Sequence, residues 1–312
     1  MLSSLSPSGN MPPFLWRATT SSIRTTESRI ASGGEPPGWR VSKWIFKKIL
    51  KEGEGMKKGL TLFFLLVFLS PAYAHFLWLN VDDYTPAPGQ EIRITLGWGH
   101  QFPQTPVPPR AEMVRRISLF LIDPRGRKIP LSIPLKEGKP QPVRVRLHQK
   151  GVYLVVAMAR HFVSKTTEGY FYRSRLELKD KEVLYSKWSE TTAIALISVG
   201  RSRKIPVSGL DSNFYLLPLE NPSLVQEGEI FRVRVVFKGK PCRTWVYATY
   251  AGFSPFKDTY AWTIRTDHQG LAPIKVLRRG PSWLLRSEFT EPYPDPRKAD
   301  IADYKCTVTF GF

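Results

Sequence analysis

From residue 75 to the end, apolar and polar positions alternate in short bursts. Arg144-Val145-Arg146-Leu147 and Arg232-Val233-Arg234-Val235 have a period of two, which puts every second side chain on one face of an extended strand. The pattern predicts strands over 75–80, 91–98, 116–122, 142–148, 152–160, 192–199, 229–237, 244–251, 260–266, 271–277, 282–288 and 304–311. Most are short, rich in β-branched and aromatic residues, and bounded by Gly, Pro, Asp or Asn. Turn chemistry separates several of them: PAPG at 86–89, DPRG at 123–126 and DHQG at 267–270. No long segment keeps a helical period; only 180–190 leaves room for a turn or two of helix.

Closely spaced strands without intervening helices predict an all-β protein made of antiparallel β-sandwiches. A polar connector, Gly200-Arg201-Ser202-Arg203-Lys204, and an extended stretch over 217–222 mark a boundary near 200–222. The expected organisation is one sandwich over 75–200 and a second, Ig-like one over 201–312.

Upstream the pattern changes. Residues 56–74, MKKGLTLFFLLVFLSPAYA, have the three parts of a secretory signal: Lys57 and Lys58, an apolar run over 60–69 broken only by Thr61, and the small-x-small site Ala72-Tyr73-Ala74. A membrane-spanning helix needs about 20 apolar residues, twice this run, so the expectation is a signal peptide cleaved between Ala74 and His75. The protein is then periplasmic or extracellular. Residues 1–55 are rich in Ser, Thr, Gly, Pro and Arg and show no hydrophobic period. Two readings of them stand. Either the true start is Met56, preceded by a KEGEG stretch whose codons resemble a ribosome-binding site, or a disordered extension begins at Met1.

The charge is strongly basic. Of 46 Lys/Arg and 26 Asp/Glu, 10 and 4 fall within 1–74, which leaves +14 on the remaining 238 residues. An exported protein rarely meets nucleic acid, and the basic residues alternate with apolar ones, so the charge reads as a solvated sheet face, with no nucleic-acid partner. Both cysteines, Cys242 and Cys306, lie in the second half. In an oxidising compartment an isolated pair reads as a disulfide; the rival, a thiolate metal site, lacks a nearby second ligand such as CxxC.

The start of the mature chain, HFLWLNVDDYTPAPGQEIRITLGWGHQFP, together with NFYLLPLENPSLVQEGEIFRVRVVFKGKPCRTWVYATY, TDHQGLAPIKVLRRGPSWLLR and DYKCTVTF, resembles a bacterial periplasmic domain-of-unknown-function family. That family was formerly described as the NikM-like component of nickel and cobalt uptake. The resemblance spans 75–312 and implies an envelope location and handling of a transition metal. The Gly239-Lys240-Pro241 and Thr266-Asp267…Gly270 turns recur in Ig-like and transthyretin-like domains and speak for fold. A His-rich tract, the mark of metal storage, is missing from the sequence.

The residues themselves point to one constellation. With cleavage after Ala74, His75 offers an α-amine and a ring nitrogen to a single ion, the arrangement called a histidine brace. If 75–80 and 91–98 form a hairpin, His100 just past the second strand lies beside it and adds a second imidazole. Three nitrogens suit Ni, Co or Cu. The rival reading is a chance N-terminal histidine beside a loop histidine. His161, after a strand, is a further candidate ligand or a surface histidine. His148 reads as solvent-facing, His268 sits at a turn position that takes many polar residues and is assigned no function, and Asp82 and Asp83 read as hairpin-turn residues rather than ion ligands. Trp78, Trp98, Trp245, Trp262 and Trp283 could make a sugar-binding platform, but they sit in strand patterns and read as core packing. No GxSxG, HExxH or phosphate-cradling glycine loop is present in the sequence.

The sequence therefore leads to a non-enzymatic, exported protein that binds a divalent transition metal as an accessory to uptake or homeostasis, with a membrane metal transporter as partner. Two alternatives stand beside it: a copper enzyme using the histidine brace for oxidation, and a non-catalytic envelope interaction module.

Overall fold

The structure, a computed structural model, describes residues 75–312. The expectations for 1–55 and for the signal peptide with its cleavage site at Ala74 lie outside the described residues.

About half of the described chain is strand, and helix is confined to isolated turns. Its first half contains β1 (Phe76–Val81), β2 (Glu91–Gly99), β3 (Ile117–Ile122), β4 (Lys128–Leu131), β5 (Leu135–Lys136), β6 (Lys139–Pro140), β7 (Val143–Arg146), β8 (Gly151–Thr166), β9 (Gly169–Phe171) and β10 (Val183–Val199). The second half contains β11 (Phe214–Pro218), β12 (Ile230–Phe237), β13 (Lys240–Pro241), β14 (Trp245–Tyr250), β15 (Trp262–Arg265), β16 (Leu271–Lys275), β17 (Trp283–Pro292) and β18 (Ile301–Phe310). One helical turn, α1 (Ala111–Val114), precedes β3. Each of the twelve segments predicted from alternation overlaps a strand. The helical turn expected in 180–190 is instead the first part of β10, because Val183 to Glu190 pair antiparallel with β8 from Thr166 to Arg160.

The strands form three layers. A nine-stranded sheet, ordered β15-β14-β17-β18-β10-β8-β3-β4 with β9 beside β8, lies between a three-stranded sheet β1-β2-β7 and a four-stranded one built from β11, β12, β13 and β16. The two faces of β8 show why. Val152, Leu154, Val156 and Met158 join one core with Phe214, Leu216, Phe231 and Val233. Tyr153, Val155 and Ala157 join the other, with Leu77, Leu79, Ile92 and Ile94. A strand covered on both faces needs apolar side chains at every position, which is why 152–159 reads as a continuous run.

The chain does leave the sheet after β10, near the connector predicted at 200–222. The two halves nevertheless share the large sheet. β18 returns to pair parallel with β10 from Lys187↔Ile301 to Ala195↔Thr309, and β17 and β14 follow it. Pairing along that length satisfies the backbone groups that two separate sandwiches would leave as open edges.

The cysteines depart from expectation. Cys242 and Cys306 are both buried in the same core and both free. Cys306 Sγ accepts the Leu216 N–H at 3.4 Å, and burial pushes the Cys242 thiol up to about 11 and the Cys306 thiol up to about 12. Each packs as a small apolar side chain, so the predicted disulfide is absent from the described structure.

Candidate metal centre

β1 and β2 pair antiparallel, with Phe76 opposite Gly99 and Val81 opposite Ile94. Asp82 and Asp83 serve the turn between them. Asp82 accepts the Arg93 N–H at 2.8 Å and pairs with its guanidinium at 2.9 Å; Asp83 accepts from Thr85 N and from the Gln90 amide, each at 2.8 Å. One step beyond the first pair stand His75 and His100. Their ring centroids are 4.8 Å apart, and the His75 ring also stacks on Trp98 at 5.6 Å.

Burial lowers the proton affinity of His75, and His100, Lys257 and Lys305 lower it further. Its imidazole is therefore neutral, the form that ligates metal, at neutral pH. His100 is held at two points by one residue: its Nδ1 lies 3.1 Å from Asp258 Oδ2, and its carbonyl accepts the Asp258 N–H at 3.0 Å.

Below the pair the face of the large sheet is charged. Arg286 of β17 is buried; its guanidinium lies 3.6 Å above the Phe76 ring and within 5.0 Å of Tyr247 and Tyr260. It pairs with Asp258 Oδ1 at 3.3 Å and Glu288 at 3.4 Å, and meets the Tyr260 hydroxyl. Lys305, also buried, has its Nζ 4.9 Å from the centroid of the same Phe76 ring and shares Asp303 with Lys187. Burial pushes Lys305 down; for Asp303, the two lysines outweigh burial and hold its carboxyl below the usual range. Phe76, Trp78, Phe102 and Leu284 form a small apolar cluster that supports the site. Beside it opens a cleft lined by His100, Phe102, Asp258, Tyr260 and Arg286.

His161 does not join the pair. It is buried on β8 with its ring edge-on to Tyr172 at 5.2 Å, opposite Ser189 of β10, which in turn is opposite Asp303 of β18. Two strand spacings, about 10 Å, separate it from β18. Burial first, then Arg116 and Lys187, depress its pKa to about 4. Among the tryptophans, Trp78 and Trp283 are fully buried, whereas Trp98 is half-buried against His75.

Among the described residues no group of three or more His, Cys, Asp or Glu side chains is placed to hold a metal ion. His75 and His100 supply two ring nitrogens, and a third protein donor would be the α-amine of a processed His75. The spacing fits a shared ion. Metal–nitrogen bonds of about 2.0–2.1 Å put two imidazole centroids on one ion roughly 4.5 Å apart when adjacent and roughly 6.4 Å when opposite, and the observed separation falls in that interval. Asp258, Tyr260, Arg286 and Lys305 had no sequence signal: they arrive from a loop and two strands of the other half of the chain.

A family model described as a domain of unknown function (DUF4198) matches residues 72–291. No curated protein matches. Two solved structures share 11% identity with the chain. The BSP domain of a biofilm-associated protein has a TM-score of 0.18, with 75% of this chain and 29% of that one covered. A DUF4785 family protein from Legionella pneumophila has a TM-score of 0.25, with 70% and 54% covered. The chain thus spans less than two thirds of either, and scores this low bear on neither fold nor function.

Proposed function

The chain belongs to the DUF4198 family, and from that premise we propose that it is an exported protein that binds one divalent transition-metal ion through His75 and His100. The observation that carries the reading is the 4.8 Å separation of two imidazoles that flank the first pair of a hairpin. The α-amine of a processed His75 supplies the third nitrogen. Amine and imidazole donors suit nickel, cobalt and copper, with copper bound most tightly. Bound there, the ion is cargo held at the protein surface for a membrane transporter or for metal homeostasis in the periplasm. The NikM-like history of the resembling family agrees with that role.

The test is calorimetry with Cu(II), Ni(II) and Co(II) on protein recovered from the periplasm with its N-terminus sequenced. Three forms are compared: the processed chain, a version with Gly inserted before His75, and His100→Ala. A protein beginning at His75 and binding one ion, with affinity lost in both altered forms, supports the reading. Equal binding by all three moves the site elsewhere, and absence of binding by the processed chain overturns it.

A further inference from the structure

We propose that the outer face of the β11-β12-β16 sheet is a docking surface for an anionic lipid bilayer, an activity separate from metal binding. The register sets the residues involved side by side. Ile230 is opposite Lys275, Arg232 opposite Pro273 and Arg234 opposite Leu271. On the other flank Leu217 is opposite Arg234, and the Leu219 N–H donates to the Arg232 carbonyl at 2.8 Å. The inward alternates Phe231, Val233, Ala272 and Ile274 are fully buried, so Ile230, Arg232, Arg234 and Lys275 face away from the core, and all four are exposed. With strands about 4.8 Å apart and alternate residues of a strand about 7 Å apart, the three cations lie within about 15 Å of one another.

The molecule contains its own comparison. The outer face of the three-stranded sheet carries arginines in the same alternating pattern, but there each has a carboxylate. Arg93 pairs with Asp82 at 2.9 Å, and Arg144 and Arg146 pair with Glu91 at 3.0 and 3.4 Å. Among the described residues Arg232, Arg234 and Lys275 take part in no salt bridge. Carboxylates at the margins of their face are engaged in their own turns. Asp267, which feels the charge of Arg234, accepts the Gln269 and Leu271 N–H groups at 2.8 and 2.9 Å. Glu229, just before Ile230, accepts the Gln226 N–H at 2.8 Å. Like charges this close repel one another, and a plane of anions brought to the face relieves that repulsion. Apolar side chains stand among the cations: Ile230 is 57% exposed and Leu219 44%. On a bilayer the phosphates meet the guanidinium and ammonium groups while these apolar side chains enter the headgroup boundary. The charge of +14 on residues 75–312 adds attraction toward such a surface.

The experiment is vesicle co-sedimentation of the purified protein with its N-terminus sequenced. The readout is the ratio of affinity for vesicles of phosphatidylcholine mixed with phosphatidylglycerol to affinity for phosphatidylcholine alone, which cancels any contribution from the apolar run at 60–69. Two triple variants remove the same charge: Arg232→Ser with Arg234→Ser and Lys275→Ser, and Arg93→Ser with Arg144→Ser and Arg146→Ser. The wild type should prefer anionic vesicles, and the preference should fall as salt rises from about 0.05 M to about 0.5 M. Each cation removed from the proposed face should weaken anionic binding about five-fold, and the first triple about 100-fold; the second triple should stay within about five-fold of wild type. If the first triple does not fold by circular dichroism, the single variants Arg232→Ser and Lys275→Ser carry the comparison. Absence of a preference in the wild type, or equal losses in the two triples, overturns the proposal. A wild type that ignores vesicles but binds polyglutamate through the same three cations points to an acidic protein and overturns it as well. So does a dimer, seen without vesicles, that the first triple dissociates.

Discussion

Replacing Gly97 with alanine tests the packing that supports the histidine pair. Gly97 faces Trp78 across the β1–β2 ladder. A Cβ at Gly97 would meet Nε1, Cδ1 and Cε2 of the Trp78 indole, all closer than 3.0 Å, whereas carbon atoms rest at about 3.5–4.0 Å. The indole has nowhere to go: it is 1% exposed and its ring lies edge-on to Phe102 at 6.0 Å. Overpacking of this kind costs typically about 1–3 kcal/mol, and a rigid aromatic enclosed on all sides belongs at the upper end, about 3 kcal/mol. For about 240 residues each kcal/mol lowers Tm by about 2–4 °C, so Gly97→Ala should melt about 6–12 °C earlier. The assay is thermal and urea unfolding followed by circular dichroism, carried out also in a Trp78→Leu background. There the smaller side chain leaves room for the methyl, and the same substitution should cost less than about 1 kcal/mol. A cost below about 0.5 kcal/mol in the native background, or an equal cost in both, refutes the reasoning.

Two further outcomes follow from buried titratable groups. The folded-state pKa of His161 is about 4 against an ordinary 6.5, so between those values the unfolded chain binds the extra proton and stability falls as pH falls. The gap is worth about 3 kcal/mol at 1.36 kcal/mol per pH unit, and urea midpoints at about pH 7 and about pH 4.5 should show a smaller loss in His161→Gln. The buried thiols of Cys242 and Cys306, raised to about 11 and about 12, should resist alkylation at about pH 8 in the folded protein and both react after unfolding; recovery of a Cys242–Cys306 linked peptide would contradict the structure.

Alternation by itself was enough to locate the predicted strands, to make the protein all-β and to bring His75 beside His100, because the sheet period of two is written in local sequence and a hairpin needs only a turn between two such runs. What each strand packs against is not written there. The continuous apolar run of 152–159 says that both faces of β8 are covered, but the covering layers, β1 with β2 on one side and β11 with β12 on the other, come from distant parts of the chain. The parallel pairing of β10 with β18 is made by backbone groups that every residue carries, so neither strand's side chains announce the other, and the chain beyond the 200–222 connector reads as a separate sandwich until the sheet is seen whole. Spacing could not tell a disulfide from two core thiols, since Cys242 and Cys306 do share one core and yet are both free there. Asp258 and Arg286 were equally illegible. A charged residue in a loop or on a strand reads as solvated, and only the packing of β17 beneath β1 turns Arg286 into the support of Phe76 and directs Asp258 at His100.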